Sequence, residues 1–431
     1  MESTHSIKIF TVVGARPNFM KAAPIIAAIQ GYNERLALSP NLDRANDSNL
    51  RIRNLLVHTG QHYDQAMSEQ FFADLSIPKP DVHLGVGSGS HAAQTAEIMK
   101  RFEDVLLRER PDLLVVVGDV NSTLACALVA AKISYGANGA RPLIAHVEAG
   151  LRSFDRAMPE EINRILTDHI ADLLFVTEET GLRNLREEGI PAEKIHFVGN
   201  TMIDSLLNFR AKAERSDILN RLRLRKPNPE SGSTHDTARY ALLTLHRPSN
   251  VDQPETFLNI LEGMQELLSS CPVIFPVHPR TRKRLTEFGF QRFFTNEDGP
   301  REETLRSPRA NGRVHLVEPL GYLDFLCLMA HAAVVVTDSG GIQEETTCLG
   351  VPCVTVRENT ERPITVKVGT NVLAGTGKEG IRRAIRQQLA SMVSGSVPEG
   401  WDGKSAQRIL DVICRELEKK RCSGTVLAGQ N

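Results

Sequence analysis

Three carboxylates in this 431-residue chain stand where parallel α/β sheets do chemistry: Asp119 after the apolar run Leu113–Val117, Glu148 after Leu143–His146, and Glu160 in Met158-Pro159-Glu160-Glu161. Residues just beyond strand carboxyl ends line the ligand crevice of an open α/β sheet. Carboxylates gathered beside cations are what acid–base chemistry on a polar substrate requires. Singly, each could equally cap a helix or lie on the surface; three together favour chemistry. The cations are at hand. Arg16 and Lys21 flank the first strand-to-helix turn, Gly14-Ala15-Arg16-Pro17-Asn18, and point to an anionic ligand.

The second half carries a phosphate-like turn. Val334–Thr337 is β-branched and apolar, the composition of a strand buried on both faces. Asp338-Ser339-Gly340-Gly341 breaks that run, and a helix is expected from Ile342. Glycines there allow close backbone approach, and the helix start offers unpaired N–H groups and partial positive charge. Glu344-Glu345 follows, able to complement the dipole or take ribose hydroxyls. A turn that simply needs glycine would read the same way. His246 and His278 each follow a strand, beside Arg247 and Arg280, which makes an anion site a better reading than two core histidines. Thr59-Gly60-Gln61-His62-Tyr63-Asp64 suggests a further polar contact in the first half.

The elements that position these residues alternate strand and helix. Strands are expected at Lys8–Val13, Asn54–His58, Leu113–Val117, Leu143–His146, Leu173–Thr177 and Ile195–Val198, then at Tyr240–Thr244, Val273–Val277, Arg313–Val317, Val334–Thr337 and Cys353–Val356. Helices are expected at Phe19–Gln30, its start bent by Pro24, and at Ala92–Glu109, Thr123–Lys132 and Leu323–Ala330. Polar Ser39–Asn49 and residues 286–312 read as loops or insertions, and Ala211–Arg239 as a linker plus a mobile loop. Two Rossmann-like α/β domains facing across a cleft follow, 1–207 and 208–400, with a helix at 405–420 packing back on the first.

Composition narrows the class. Fifty-one Lys and Arg against 52 Asp and Glu argue for neither nucleic acid nor membrane as partner. Seven scattered cysteines without metal-ligand spacing read as reduced thiols of a cytoplasmic protein. The start, MESTHSIKIF, shows no signal peptide, and no apolar run reaches the roughly 20 residues of a membrane span. The first turn lacks the Gly-x-Gly-x-x-Gly fingerprint, so no nicotinamide cofactor is expected, and no metal.

The ordered set GARPNFMKAAP, TGQHYD, HVEAGLR, MPEEINR, GNTMIDSL, LTLHRPSN, FPVHP, TDSGGIQEE and RENTERP resembles the non-hydrolysing UDP-N-acetylglucosamine 2-epimerase family, from Lys8 to about Gly375. The resemblance implies the glycosyltransferase-B fold, a homodimer, no cofactor, and a UDP-sugar substrate. It implies removal of the C2 proton, departure of UDP from C1, and re-addition through a 2-acetamidoglycal. It places Asp119, Glu148, Glu160 and His246 on catalytic positions, and Arg16, Ser339, Gly340 and Gly341 on diphosphate-binding ones. Glu345 falls on the ribose contact, Phe325 on the uracil contact, and Lys21 and Arg152 on further cationic positions. His278 joins the UDP-binding set, and Gln61 and His62 fall on a second-substrate site.

The chain departs from many bacterial members at Asn18, where they carry Glu, at Pro248-Ser249 in place of Arg-Glu, and at Asp64 in place of Gln. The last two bear on activation by a second substrate molecule. A hydrolysing epimerase releasing ManNAc and UDP, a 2-epimerase of a UDP-2,3-diacetamido sugar, a glycosyltransferase, and a catalytically silent nucleotide-sugar binder stand as alternatives. The glycosyltransferase lacks a suggested acceptor site, and the intact carboxylates argue against the silent binder.

Overall fold

The computed structural model describes residues 6–38, 50–61, 72–136, 139–226, 236–237, 239–295, 312–390 and 395–428. Ser39–Asn49, His62, Tyr63, Asp64, most of 227–238 and 296–311 lie outside the described residues. The chain divides into two compact units, Met1–Ser205 with Glu399–Asn431, and Leu206–Pro398.

In the first unit seven parallel strands form one sheet: β1 (Ile7–Val13), β2 (Ile52–His58), β3 (Val82–His83), β4 (Leu113–Val117), β5 (Leu143–Ala149), β6 (Leu173–Val176) and β7 (Ile195–Phe197). Their order is β3-β2-β1-β4-β5-β6-β7, so the winding reverses between β1 and β4. Side chains alternate across a strand, which sorts the apolar runs onto two faces. Phe10, Val12, Leu114 and Val116 pack with the helices His91–Glu109 and Asn121–Lys132. Ile7, Ile9, Leu113, Val115 and Val117 pack with Ile25 and Ile29 of the helix Arg16–Leu38 and with Ile409, Leu410 and Ile413 of the helix Ser405–Ala428.

The second unit holds a short antiparallel ribbon, β8 (Arg225–Lys226) with β9 (Asp236–Thr237), and a six-stranded parallel sheet. Its strands are β10 (Ala241–Thr244), β11 (Val273–Pro276), β12 (Val314–Val317), β13 (Val334–Thr337), β14 (Cys353–Thr355) and β15 (Asn371–Leu373). The order β12-β11-β10-β13-β14-β15 repeats the same logic, with the reversal between β10 and β13. Both units are therefore doubly wound parallel sheets, as the alternation of strands and helices required.

Three local expectations need correction. The first helix is longer than Phe19–Gln30, running Arg16–Leu38 with Pro24 inside it as expected. The stretch expected as linker contains the helix Ile218–Arg221, because Ile218 and Leu219, with Leu224 after it, bury apolar side chains within a charged run. β5 extends through Glu148 to Ala149. No helix among the described residues is long and apolar enough to cross a membrane, and no disulfide joins the six described cysteines.

Candidate active site

In an open α/β sheet ligands bind outside the carboxyl ends of the strands, at the point where the winding reverses. In the first unit that edge carries Gly118-Asp119 after β4, and Glu148 beside it on β5. Glu148 has φ +74, a left-handed value that a non-glycine residue rarely adopts, at a β-bulge where the pairing register with β6 shifts between Val147 and Ala149. Bulges re-aim side chains next to functional sites. Here the re-aimed carboxylate is buried and ion-paired with Lys21 Nζ, itself 4 % exposed. Gly118, at φ +67, makes room for this pair, since a Cβ there would sit 2.9 Å from Lys21 Nζ. Asn18 fastens the turn below: its Oδ1 accepts from the Gly14 and Ala15 N–H groups at 3.1 Å, and its Nδ2 donates to the Val117 carbonyl at 2.9 Å. A carboxylate at position 18 could not make that last bond, so the departure at Asn18 has a structural use.

Pro159 opens the helix Pro159–Ile170, and its first turn separates the two adjacent glutamates. Glu161 turns inward. It accepts from the Ser153 N–H and Oγ at 2.9 Å and the Phe154 N–H at 2.8 Å, and it pairs with Arg164. Glu160 stays half-buried and has no hydrogen-bond or ion-pair partner among the described residues. Arg164 also donates to Asp119 Oδ2 at 2.6 Å, which fixes that carboxylate while leaving it 23 % exposed. Asn163 donates to the Asp119 carbonyl at 2.9 Å.

A buried relay lies behind these groups. The His146 ring sits between Asp168 Oδ1, at 2.6 Å, and the Gly118 carbonyl, at 2.8 Å. Asp168 Oδ2 accepts from the Gly150 N–H at 3.0 Å and pairs with Arg152 at 2.7 Å. Burial alone would raise the Asp168 pKa, but His146 and Arg152 outweigh it and hold the carboxyl below its ordinary value. Arg152 is buried and also bidentate to Glu188, at 2.7 Å to each oxygen. Its guanidinium is occupied within the protein. Gln61 accepts from the Ser122 N–H and Oγ at 3.2 and 2.7 Å, which ties it to the start of the helix Asn121–Lys132. Arg16 opens its helix, but its side chain is outside the described residues, as is His62.

In the second unit the reversal lies between β10 and β13, and each strand contributes one half of a pair. His246 follows β10 and Asp338 follows β13. The ring Nδ1 lies 2.8 Å from Asp338 Oδ1, with the ring 59 % exposed and the carboxylate wholly buried. Asp338 also accepts from the N–H groups of His246, at 3.1 Å, and Arg247, at 2.9 Å, and from Asn250 Nδ2 at 3.2 Å. Desolvation of the ring's inner edge opposes its charged form, but the carboxylate prevails and raises the His246 pKa above the ordinary imidazole value. Asp338 is correspondingly lowered, its own burial outweighed by His246 and the backbone N–H groups.

The helix Gly340–Leu349 begins two residues after Asp338 and two positions before Ile342, with Ser339 as an N-cap whose side chain makes no capping bond. Its first N–H groups are thus left for an anion. Arg362 packs on this terminus: a Cβ on Gly340 would meet Arg362 Nη1 at 2.3 Å and Glu361 Oε1 at 2.7 Å. Arg362 pairs with Glu344 at 2.9 Å and with Glu361, which also holds Arg357 at 2.6 Å. Glu345 is buried against Tyr322 Oη at 3.1 Å. Burial, opposed by that hydroxyl and aided by Glu344, pushes its pKa up to about 8. Near neutrality its carboxyl can therefore both donate and accept. Phe325, half-buried, lies on the same helix as Tyr322. His278 is exposed and caps the helix Pro279–Glu287 by accepting from the Arg280 N–H at 3.3 Å.

Sequence reasoning passed over Asp338, Asp168, Arg164 and the Arg357, Glu361, Arg362 group. All four lie inside or beside motifs singled out above, and a charged residue in a run otherwise built for burial was the signal. Among the described residues no group of three or more His, Cys, Asp or Glu could hold a metal ion.

Residues 44–414 match the family model described as UDP-N-acetylglucosamine 2-epimerase. A Methanocaldococcus jannaschii protein named UDP-N-acetylglucosamine 2-epimerase is 40 % identical over 409 residues, 94 % of this chain and 99 % of that one. A Pseudomonas aeruginosa protein named UDP-2,3-diacetamido-2,3-dideoxy-D-glucuronate 2-epimerase is 36 % identical over 412 residues, 95 % of this chain and all of that one. The crystal structure of the M. jannaschii UDP-GlcNAc 2-epimerase in complex with UDP-GlcNAc and UDP is similar at a TM-score of 0.77, with 40 % identity, covering 94 % of this chain and 99 % of that one. With both sheets, their reversals and the motifs in place, the chain belongs to the UDP-N-acetylglucosamine 2-epimerase family.

Proposed function

We propose that this isomerase interconverts UDP-GlcNAc and UDP-ManNAc by eliminating UDP and adding it back. The observation that carries the reading is full-length similarity to a protein crystallised with UDP-GlcNAc and UDP. A carboxylate from Asp119, Glu148 and Glu160 takes the C2 proton, the C2–H pair forms the C1=C2 bond, and the C1–O pair leaves with UDP. Re-addition returns a proton to the opposite face of C2. The buried Lys21–Glu148 pair, the Arg164–Asp119 pair and Glu160, which has no partner among the described residues, give the three carboxylates different environments, which is how acid and base roles are divided.

In the second unit UDP is held by Ser339, Gly340 and Gly341, with Arg362 beside the helix start, Glu345 at the ribose and Phe325 at the uracil; Arg16 enters as a diphosphate contact on the family resemblance alone. His246 donates to the diphosphate, and His278 lies at the same sheet edge. Arg152 acts through Asp168 rather than on the substrate. Gln61 and His62 form the candidate contact for a second substrate molecule. The enzyme works without a cofactor, as a cytoplasmic homodimer, a state that sedimentation velocity would check.

The 36 % identity to a diacetamido-glucuronate epimerase supports a second reading, in which the sugar carries a further acetamido group. NMR of products from UDP-GlcNAc separates the outcomes. UDP-ManNAc in equilibrium supports the proposal, free ManNAc with UDP assigns a hydrolysing enzyme, and no turnover with UDP-GlcNAc but turnover of the diacetamido sugar assigns the second.

The nucleotide half is tested separately. Ser339→Leu places a bulky side chain over the free N–H groups of the helix start. UDP affinity should fall about tenfold or more, roughly 1.4 kcal/mol, with the unfolding transition unchanged. Unaltered affinity by calorimetry would remove the phosphate assignment.

A further inference from the structure

His246 alone could reach a diphosphate from many rotamers, but its surroundings leave it few. The ring follows β10, and its Nδ1 meets a carboxylate that follows β13, the strand paired with β10 in register from Ala241–Val334 to Thr244–Thr337. Asp338 is fixed before it meets the ring, by the backbone N–H groups of His246 and Arg247 and by Asn250 Nδ2, which is itself anchored to the Val356 carbonyl at 3.1 Å. Its own carbonyl accepts from Arg247 Nε at 3.0 Å. One residue further on, Ser339 and Gly340 start the helix whose N–H groups are open to an anion. The same residue therefore anchors the imidazole and opens the phosphate cradle.

We propose that Asp338 is the positioning residue for His246. Its buried carboxylate turns Nδ1 inward and leaves Nε2 as an outward donor, so that the ring, with a negative charge held behind it, stabilises the diphosphate as UDP departs. The inference rests on the epimerase reading. The C1–O pair moves onto the leaving oxygen, the Nε2–H hydrogen bond to the diphosphate strengthens as that charge grows, and the C2 proton goes to the carboxylate base. No further reactant is needed. Interactions that strengthen as charge develops are those that lower a barrier.

The groups acting on the ring are Asp338, which favours its charge, and Arg247 and Arg357, which oppose it. Glu361 moderates both arginines, lying 3.6 Å from Arg247 and 2.6 Å from Arg357. Hydrogen bonding of a histidine to a buried carboxylate fixes its tautomer and orientation in many enzymes.

The test uses the full chain with ¹⁵N-labelled histidine, the His246 signals being assigned by their loss in His246→Gln. In the wild type the ring's titration midpoint should lie above the ordinary imidazole value, and the ring should lose its Nε2 proton first. In Asp338→Asn its midpoint should fall by about one pH unit or more, kcat should fall by roughly 10²-fold, and KM should change little. Because activity needs the charged ring, the alkaline limb of the kcat profile should move to lower pH in step with the NMR midpoint.

A kcat loss with an unmoved profile and midpoint would assign a structural role alone and overturn the proposal. So would full activity in Asp338→Asn. Should that variant fail to fold, the wild-type titration still decides: an ordinary midpoint, or a neutral ring with its proton on Nε2, overturns it. Absence of epimerisation by the wild type would refute the epimerase reading instead, and the NMR arm would still decide the Asp338–His246 relation.

Discussion

Asp119→Asn, Glu148→Gln and Glu160→Gln should each lower kcat with UDP-GlcNAc by roughly 10²- to 10⁴-fold, the range for loss of a general acid or base, while UDP affinity stays nearly constant. An amide keeps the shape and removes the charge or the base, so the loss appears in turnover before binding. The three are not equivalent. Glu160→Gln touches no partner among the described residues and is the cleanest variant. Asp119→Asn releases one arm of Arg164, which keeps Glu161. Glu148→Gln leaves Lys21 buried without its carboxylate, so a stability loss should accompany the kinetic one. In D₂O the wild-type product should carry deuterium at C2, because the abstracted proton can exchange with solvent. Epimerised product without that label, or three fully active amides, would sink the elimination route.

Asp168→Ala should be the most destabilising single change in the first unit. It strands the wholly buried His146, frees the Arg152 guanidinium from its inner partner, and leaves the Gly150 N–H unpaired. Breaking a buried pair from one side costs about 3–5 kcal/mol. Denaturant unfolding followed by tryptophan fluorescence suits the measurement, since Trp401 is buried in this unit with its Nε1 on the Thr177 carbonyl at 3.0 Å. The sign with pH follows from the lowered pKa of Asp168. Its stabilisation is present above the unfolded value, about 3.9, and is lost as the pH falls through the lower folded value. The gap between wild type and variant should therefore hold at neutral pH and close in acid. A difference below about 1 kcal/mol at neutral pH would show that the relay contributes little.

The carboxylate-to-amide series reads chemistry and the Asp168 variant reads architecture, and the sequence was unequally informative about the two. Its apolar runs determined the strands: Leu113–Val117 and Val334–Thr337 could only be buried on both faces, which requires parallel sheets covered by helices. Its turn residues determined which ends carry ligands, because Gly118-Asp119 and Ser339-Gly340-Gly341 interrupt those runs where a parallel sheet opens.

Pairing across the sheet was left to the tertiary structure. His246 and Asp338 are 92 positions apart and meet only because β10 and β13 are neighbours at the reversal. Arg164 reaches Asp119 across 45 positions by the same kind of adjacency. Nor could pattern alone tell Glu160 from Glu161, because consecutive residues on a helix face about 100° apart and only packing decides which is inward. The bulge at Glu148 was hidden for a related reason. A left-handed residue inside a strand violates the local preference that pattern reading relies on, and it persists because the surrounding sheet and the Lys21 pair over-determine it.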